Sequence, residues 1–314
     1  MKKIFLLLPC FFFISTLFAG DQNSSDSKSL SRPSFLWKVS KDGVADSYWF
    51  GTIHVGAPDV LALPSHIQNA FAESDSVYTE VPMDQSMQMK AFSSIMRNDG
   101  KTLENILPEA DVQELKSLLK QMLGSDNLFV FQKMKTWAVS VTLPLLPVQM
   151  KYQNSQALDQ VLYTAGQRSG KKVGGLETVE EQVGYFDQFK EEEQVQMLRM
   201  TMKLLKEEVA KGEFSLDLLI DAYVRGDAEL LLSEMKKGMM LDSDVADERE
   251  LAKRVTDSLL YERNKKMVER FQALVKENPE QKNFIAVGTG HLVGEKSVIE
   301  GLQDAGFKVS RVTE

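Results

Sequence analysis

Cysteine is nearly absent from this chain of 314 residues, histidine occurs three times, and lysine and arginine never gather into a basic block. Each scarcity excludes something. Cys10 is the single cysteine, and it lies in an apolar N-terminal stretch. If that stretch is removed, no disulfide, thiolate nucleophile or thiolate-ligated metal remains. A formal charge of −8 and a pI near 5.2 lack the electrostatic footprint of a nucleic-acid or anionic-lipid binder. Beyond the start of the chain, no apolar run approaches the ~20 residues that span a bilayer. With 43% hydrophobic residues, the chain has enough apolar material for a full core, in one large domain or two smaller ones.

The first residues read as an address. Lys2 and Lys3 precede an uncharged stretch from Ile4 to Ala19, with small residues near a cleavage point after Ala19. That is the pattern of a secretory signal peptide over 1–19, and it predicts export to the periplasm or beyond the cell. Residues 20–34 are dominated by Ser, Asp, Asn and Lys and are expected to be a flexible leader. Folded sequence is expected over 35–312.

Two of the three histidines occur in the same setting. Gly51-Thr52-Ile53-His54 follows the strand-like Tyr48-Trp49-Phe50, and Gly288-Thr289-Gly290-His291 follows Phe284-Ile285-Ala286-Val287. Each histidine is therefore placed where a strand gives way to a loop. Each motif is followed by a short helix and a further strand: Ser76 to Val81, carrying Glu80, in the first copy, and Phe307 to Val312 in the second. The expected fold class is α/β (α+β), with two related β-rich halves carrying the paired Gly-x-x-His loops and a large helical insertion between them. Within the insertion, apolar spacing predicts helices over 110–123, 131–143, 178–210, 216–235 and 246–276, and a short strand over 173–176 that closes on Glu177. Met197, Met200 and Met202 are expected as core filler.

One histidine at a strand end is more often structural than chemical; two in matching contexts point to a site. Gly51 and Gly288 allow close approach of backbone or ligand, although each has a plain reading as a turn residue. Glu80 ends its strand and would ordinarily be an exposed carboxylate. Glu177 also suits the start of a helix, Arg263 and Asn264 fall within a helix where the default is the surface, and His66 has no matching partner and receives no role. Two histidines with one or two carboxylates support hydrolysis by either of two routes. They hold a divalent ion that activates water, or one histidine acts as base while a carboxylate fixes its tautomer and an arginine steadies the oxyanion. Spacing alone does not choose between them.

Taken in order, the Tyr48 to Gly56 segment, the strand ending in Glu80, Gly175-Leu176-Glu177-Thr178-Val179-Glu180-Glu181-Gln182, Glu262-Arg263-Asn264 and Val287 to Leu292 resemble the TraB/GumN family. That family includes the Tiki proteases and is distantly similar to erythromycin esterases and ChaN-like proteins. The resemblance implies a site between the paired loops, with His54, Glu80 and His291 at its centre and as ligands to a divalent metal (manganese, cobalt or zinc). It implies Glu177 and Arg263 as catalytic neighbours, and Gly51, Gly288, Gly290 and Asn264 as substrate or structural support. The expected function is an exported, metal-dependent hydrolase of peptide or other amide or ester bonds, taking a peptide or small-molecule substrate. The alternative is a binding or regulatory protein that sequesters a peptide signal or small ligand without turnover. One departure is the Lys135-Thr136-Trp137 segment, where family members often place proline before the tryptophan; it bears on packing.

Overall fold

The computed structural model describes residues 33–153 and 155–313. The expected signal segment, and the leader up to residue 32, lie outside the described residues. The fold is mixed α/β. A six-stranded sheet has the order β4-β3-β5-β2-β1-β6, where β1 is Leu36–Lys41, β2 Val44–Thr52, β3 Ser76–Thr79, β4 Lys172–Gly175, β5 Asn283–Gly288 and β6 Lys308–Arg311. β1 and β2 form the hairpin expected from Asp42-Gly43, with Gly43 at φ 81° supplying the left-handed turn position. β2, β5, β3 and β4 are parallel neighbours, and only β1 opposes the common direction, pairing antiparallel with both β2 and β6. The central strand β5 is buried along nearly its whole length, as a parallel strand covered on both faces requires.

The strands that lead into the two Gly-x-x-His segments thus belong to one continuous sheet. Their strands are adjacent, Thr52 pairing with Gly288 at the shared end. From β2 the chain passes through helix Ser65–Glu73 to β3, on the far side of β5. From β5 it passes through helix Val298–Asp304 to β6, on the far side of β1. The two connections leave in opposite directions, the topology that in open α/β sheets marks the carboxyl ends of the strands, here β2 and β5, as the place to look for a site.

Helices cover both faces. Phe71 of helix Ser65–Glu73 meets Phe284 edge-on at 5.4 Å, while Phe271 of helix Arg263–Glu277 meets Trp49 at 5.3 Å on the opposite face. A second core lies among the middle helices, where Leu115, Leu119, Trp137, Leu198 and Leu205 are buried together. Met202 belongs to that core, whereas Met200 and Met197 pack with Phe189 and Leu251 in a small third cluster. Trp137 stacks on Phe186 at 4.3 Å and donates from Nε1 to Asp187 at 2.8 Å. Thr136 occupies the first helical position, where proline is at home; here its hydroxyl reaches Glu191 Oε1 at 2.6 Å.

Three expected helices are each divided. The first becomes Val179–Asp187 and Glu191–Lys211, and the second Ser215–Arg225 and Ala228–Gly238. The second division follows from Gly226 at φ 66° ending one helix and the Asp227 side chain capping the next. The third passes from Ala246–Thr256 through a π turn, Asp257–Glu262, into Arg263–Glu277. The segment expected as helix from 131 is a series of turns until Thr136. Among the described residues, no helix is long and apolar enough to cross a membrane.

Candidate functional site

Four parallel strands deliver the site. Backbone pairing continues past β3 and β4, with Leu176 N–H donating to Thr79 O and Glu177 N–H to Glu80 O at 2.7 Å. Glu177, Glu80, Gly288 and Thr52 therefore stand in a row at the carboxyl ends of β4, β3, β5 and β2. His54 lies in the loop after β2, and His291 in a short 3-10 turn after β5, Thr289–His291. The two motifs are tied together by Thr289 Oγ1, which donates to Thr52 O at 2.8 Å.

Glu80 is the hub. Its Oε1 accepts from Gly288 N–H at 2.7 Å, and its Oε2 accepts from Arg263 at 2.5 Å and from Gln182 at 3.2 Å. His54 Nε2 and His291 Nε2 both face the same Oε1, at 3.7 and 3.8 Å. The outer nitrogens are held from behind: His54 Nδ1 by Asp159 Oδ2 at 3.0 Å, and His291 Nδ1 by Asn264 Oδ1 at 2.6 Å. Arg263 also reaches Glu177 with Nε at 3.0 and 3.1 Å and a terminal nitrogen at 2.6 Å. Leu259 O, inside the π turn, accepts from the other terminal nitrogen of Arg263 at 3.2 Å.

The default placement of Glu80, Arg263 and Asn264 at the surface does not hold: they are 3%, 7% and 3% exposed. Arg263 is inside because helix Arg263–Glu277 turns one face to the sheet, and two buried carboxylates require a cation beside them. His54 is the open member, its side chain 40% exposed against 5% for His291. Of these groups, His54 is the one that solvent reaches. His66 lies elsewhere, its Nε2 at 2.6 Å from Ser34 Oγ.

The two motif histidines differ electrically. Burial would lower the His54 pKa, but the charge and hydrogen bond of Asp159, with Glu80, outweigh it and push it up to about 9. Burial, joined by the Arg263 charge, pulls His291 down to about 3, so its ring is neutral. Glu80 would be raised by burial, yet Arg263, both histidines and the Gly288 N–H hold it well below the usual carboxylate range. Burial pushes Glu177 up, with Arg263 opposing. The Arg263 guanidinium is lowered by burial but raised further by Glu80 and Glu177, to a net position above its ordinary value.

Among the described residues, no three His, Cys, Asp or Glu side chains form a group that could hold a metal ion as placed. The chemistry of the donors nevertheless suits one. Two imidazoles with their outer nitrogens engaged turn the inner ones toward one carboxylate oxygen, the orientation that metal-binding histidines take.

Gly288 leaves the hollow between these groups. A Cβ there would stand 3.1 Å from Glu80 Oε1, 3.4 Å from His54 Nε2 and 3.7 Å from His291 Cδ2. Its φ of −51° suits any residue, so the methyl of Gly288→Ala acts on the site and not on the backbone. We expect that substitution to reduce activity by about 10²-fold while stability stays within about 1 kcal/mol of wild type. Parallel kinetic and urea-unfolding measurements check it, and an unimpaired variant would show that the hollow is not used. Gly51 serves packing instead, since a Cβ there would come within 2.7 Å of Thr289 Oγ1 and 2.9 Å of Phe35 Cβ. Gly290 lies under Met235, whose Cε a Cβ would displace.

A model of the TraB/PrgY/gumN family matches residues 35–311. The chain belongs to the TraB/PrgY/gumN family. It is 28% identical over 312 residues to "Metalloprotease TIKI2" of Danio rerio, covering 88% of this chain and 60% of that protein. It is 27% identical to "Metalloprotease TIKI1" of Homo sapiens, covering 88% of this chain and 61% of that protein. The chain thus spans about three fifths of the length of these Tiki relatives. It is also 21% identical to "Uncharacterized protein YbaP" of Shigella flexneri, over 84% of this chain and 90% of that one. No solved structure matches.

Three groups in this family member's site escaped the reading of the sequence: Asp159, Thr52 and Gln182. Asp159 left a trace. The buried positions of helix Leu158–Arg168 are Leu158, Asp159, Leu162, Tyr163 and Gly166, so a carboxylate occupies the apolar stripe. In the first turn of a helix, however, an aspartate is also what the macrodipole favours, and that reading conceals the trace. Gln182 follows the capping box of Thr178 and Glu181, which gives no hint that its amide turns to Glu80.

Proposed function

We propose that the protein is an exported hydrolase of peptide or other amide or ester bonds, using a divalent cation held by His54, Glu80 and His291. The observation that carries this reading is the approach of His54 Nε2 and His291 Nε2, from two adjacent strands, to the single oxygen Glu80 Oε1. The charged and then apolar start over 1–19 supports export, and the names of the Tiki relatives support metalloprotease chemistry. A bound manganese, cobalt or zinc ion would supply Lewis acidity and make water a stronger acid.

The chain's own residues do the rest. Gly288 N–H and Arg263 hold the Glu80 carboxylate by its two oxygens, fixing its orientation without neutralising it by protonation. His291, buried and uncharged, serves as a fixed nitrogen donor. His54, at the open side, would hold the cation through Nε2, with its Nδ1 kept in place by the Asp159 carboxylate. The substrate enters from the His54 side, where its scissile bond meets the exposed imidazole.

Metal analysis of the purified protein, with turnover measured across peptide and ester panels, tests this. Wild type is expected to carry about one divalent ion per chain and to cleave panel members. His54→Ala and His291→Ala are each expected to lower both properties by about 10²-fold or more. Variants as active as wild type would overturn the assignment. A tightly held ion without turnover on any panel would instead favour the sequestering alternative.

A further inference from the structure

We propose that Asp159, braced by Thr52, is the positioning residue of His54, and that the two motif histidines, alike in sequence, are aimed by partners of different charge. The proposal rests on the hydrolase reading for its consequences, but its geometry stands apart from it. Asp159 is 1% exposed. Its Oδ2 lies 3.0 Å from His54 Nδ1, and its Oδ1 accepts from Thr52 Oγ1 at 2.5 Å. Thr52 is the last residue of β2, two positions before His54, so the strand that presents the histidine also anchors the carboxylate that aims it. A buried carboxylate without partners is costly. Its two oxygens are committed to this strand end, whereas an aspartate serving only the helix dipole could lie in solvent.

The other side uses a neutral group for the equivalent task. Asn264 Oδ1 is 2.6 Å from His291 Nδ1, and its Nδ2 donates to Lys296 O at 2.9 Å, which fixes which end of the amide faces the ring. Lys296 holds a left-handed φ of 51°, one of two such non-glycine residues among those described. That conformation is uncommon for lysine, and it occurs at the residue whose carbonyl orients Asn264. Both rings are therefore locked with a hydrogen on Nδ1 and with Nε2 toward Glu80. Only His54 has a carboxylate behind it, and hydrogen bonds to a carboxylate are stronger than those to a neutral amide. The paired motifs thus yield two rings aimed at one carboxylate oxygen, one held from behind by a carboxylate and the other by an amide.

The test uses the intact protein with Asp159→Ala, Asp159→Asn, Thr52→Val and Asn264→Asp. In metal-free protein, proton NMR of the histidine rings is expected to show a downfield, slowly exchanging Nδ1–H for His54. Asp159→Ala should abolish that resonance and leave the His291 resonance in place. Asp159→Asn should retain it, because an amide oxygen still accepts the hydrogen. Calorimetric titration with Mn²⁺ alone should then show affinity weakened by about 10- to 100-fold in Asp159→Asn. Any turnover should lose more in kcat than in KM, and Asn264→Asp should change the His291 side without restoring that loss. An unchanged His54 resonance in Asp159→Ala would overturn the proposal. If that variant does not fold, Thr52→Val must still move the resonance, and failure to do so overturns it equally. The ring spectrum needs neither metal nor substrate, so a protein without hydrolytic activity would sink the functional reading while Asp159 is still judged.

Discussion

Arg263→Leu is expected to lower the unfolding free energy by about 3–5 kcal/mol, the penalty of stripping the partner from buried charge. Arg263 engages both Glu177 oxygens and one oxygen of Glu80, and all three residues are under a tenth exposed. Without the guanidinium, two buried carboxylates stand at neighbouring strand ends without the cation that both of them grip. Urea unfolding at neutral pH measures the loss. Adding Glu177→Gln to Arg263→Leu should recover part of it, because the double variant buries one charge fewer and residues in one network are not additive. A shift below about 1 kcal/mol, within the range of an ordinary surface ion pair, would mean that the cluster relaxes or admits water. The conservative Arg263→Lys should also fail to restore wild-type stability, since an ammonium cannot grip Glu177 through two nitrogens while reaching Glu80.

Glu80→Gln has the largest expected effect on chemistry. The amide keeps the side chain's volume and an oxygen for the Gly288 N–H, and Arg263 retains Glu177, so the fold should persist. The charge that both histidine rings approach is removed. We expect kcat/KM on any panel substrate to fall by about 10²- to 10⁴-fold, the span typical of a lost acid–base group, together with loss of divalent-ion binding. Steady-state kinetics beside metal analysis read both quantities. Near-wild-type turnover would exclude Glu80 from the reaction and leave it as a structural acceptor for Arg263. The stability of this variant separates the cases: weak turnover in a protein that melts normally indicts the site, whereas weak turnover in an unstable protein indicts the network.

The sequence was informative wherever a residue's identity and its local period coincide. The two Gly-x-x-His segments, the hairpin at Asp42-Gly43, Glu80 at the end of an apolar run and the long amphipathic helices could all be read, because strand ends, turns and helix faces are local properties. The same segments located His54, Glu80, His291, Glu177 and Arg263 as candidates, and those five side chains meet in one cluster. Helix continuity was harder to read. The break at Gly226 and the π turn before Arg263 depend on what packs against each segment, and apolar spacing runs through both.

By itself the sequence determined the chemical inventory: two motif histidines, carboxylates at strand ends, scarcely any thiol, a net negative charge and enough apolar surface for a mixed α/β core. Tertiary structure alone decided that β2 and β5 are parallel neighbours, which brings residues near opposite ends of the chain to a single carboxylate oxygen. It also decided that Asp159 stands behind one ring and Asn264 behind the other. That could not be read locally, because a side chain's partner across the sheet is set by strand order and helix placement. Both are settled by burial of the whole core rather than by any spacing within one segment.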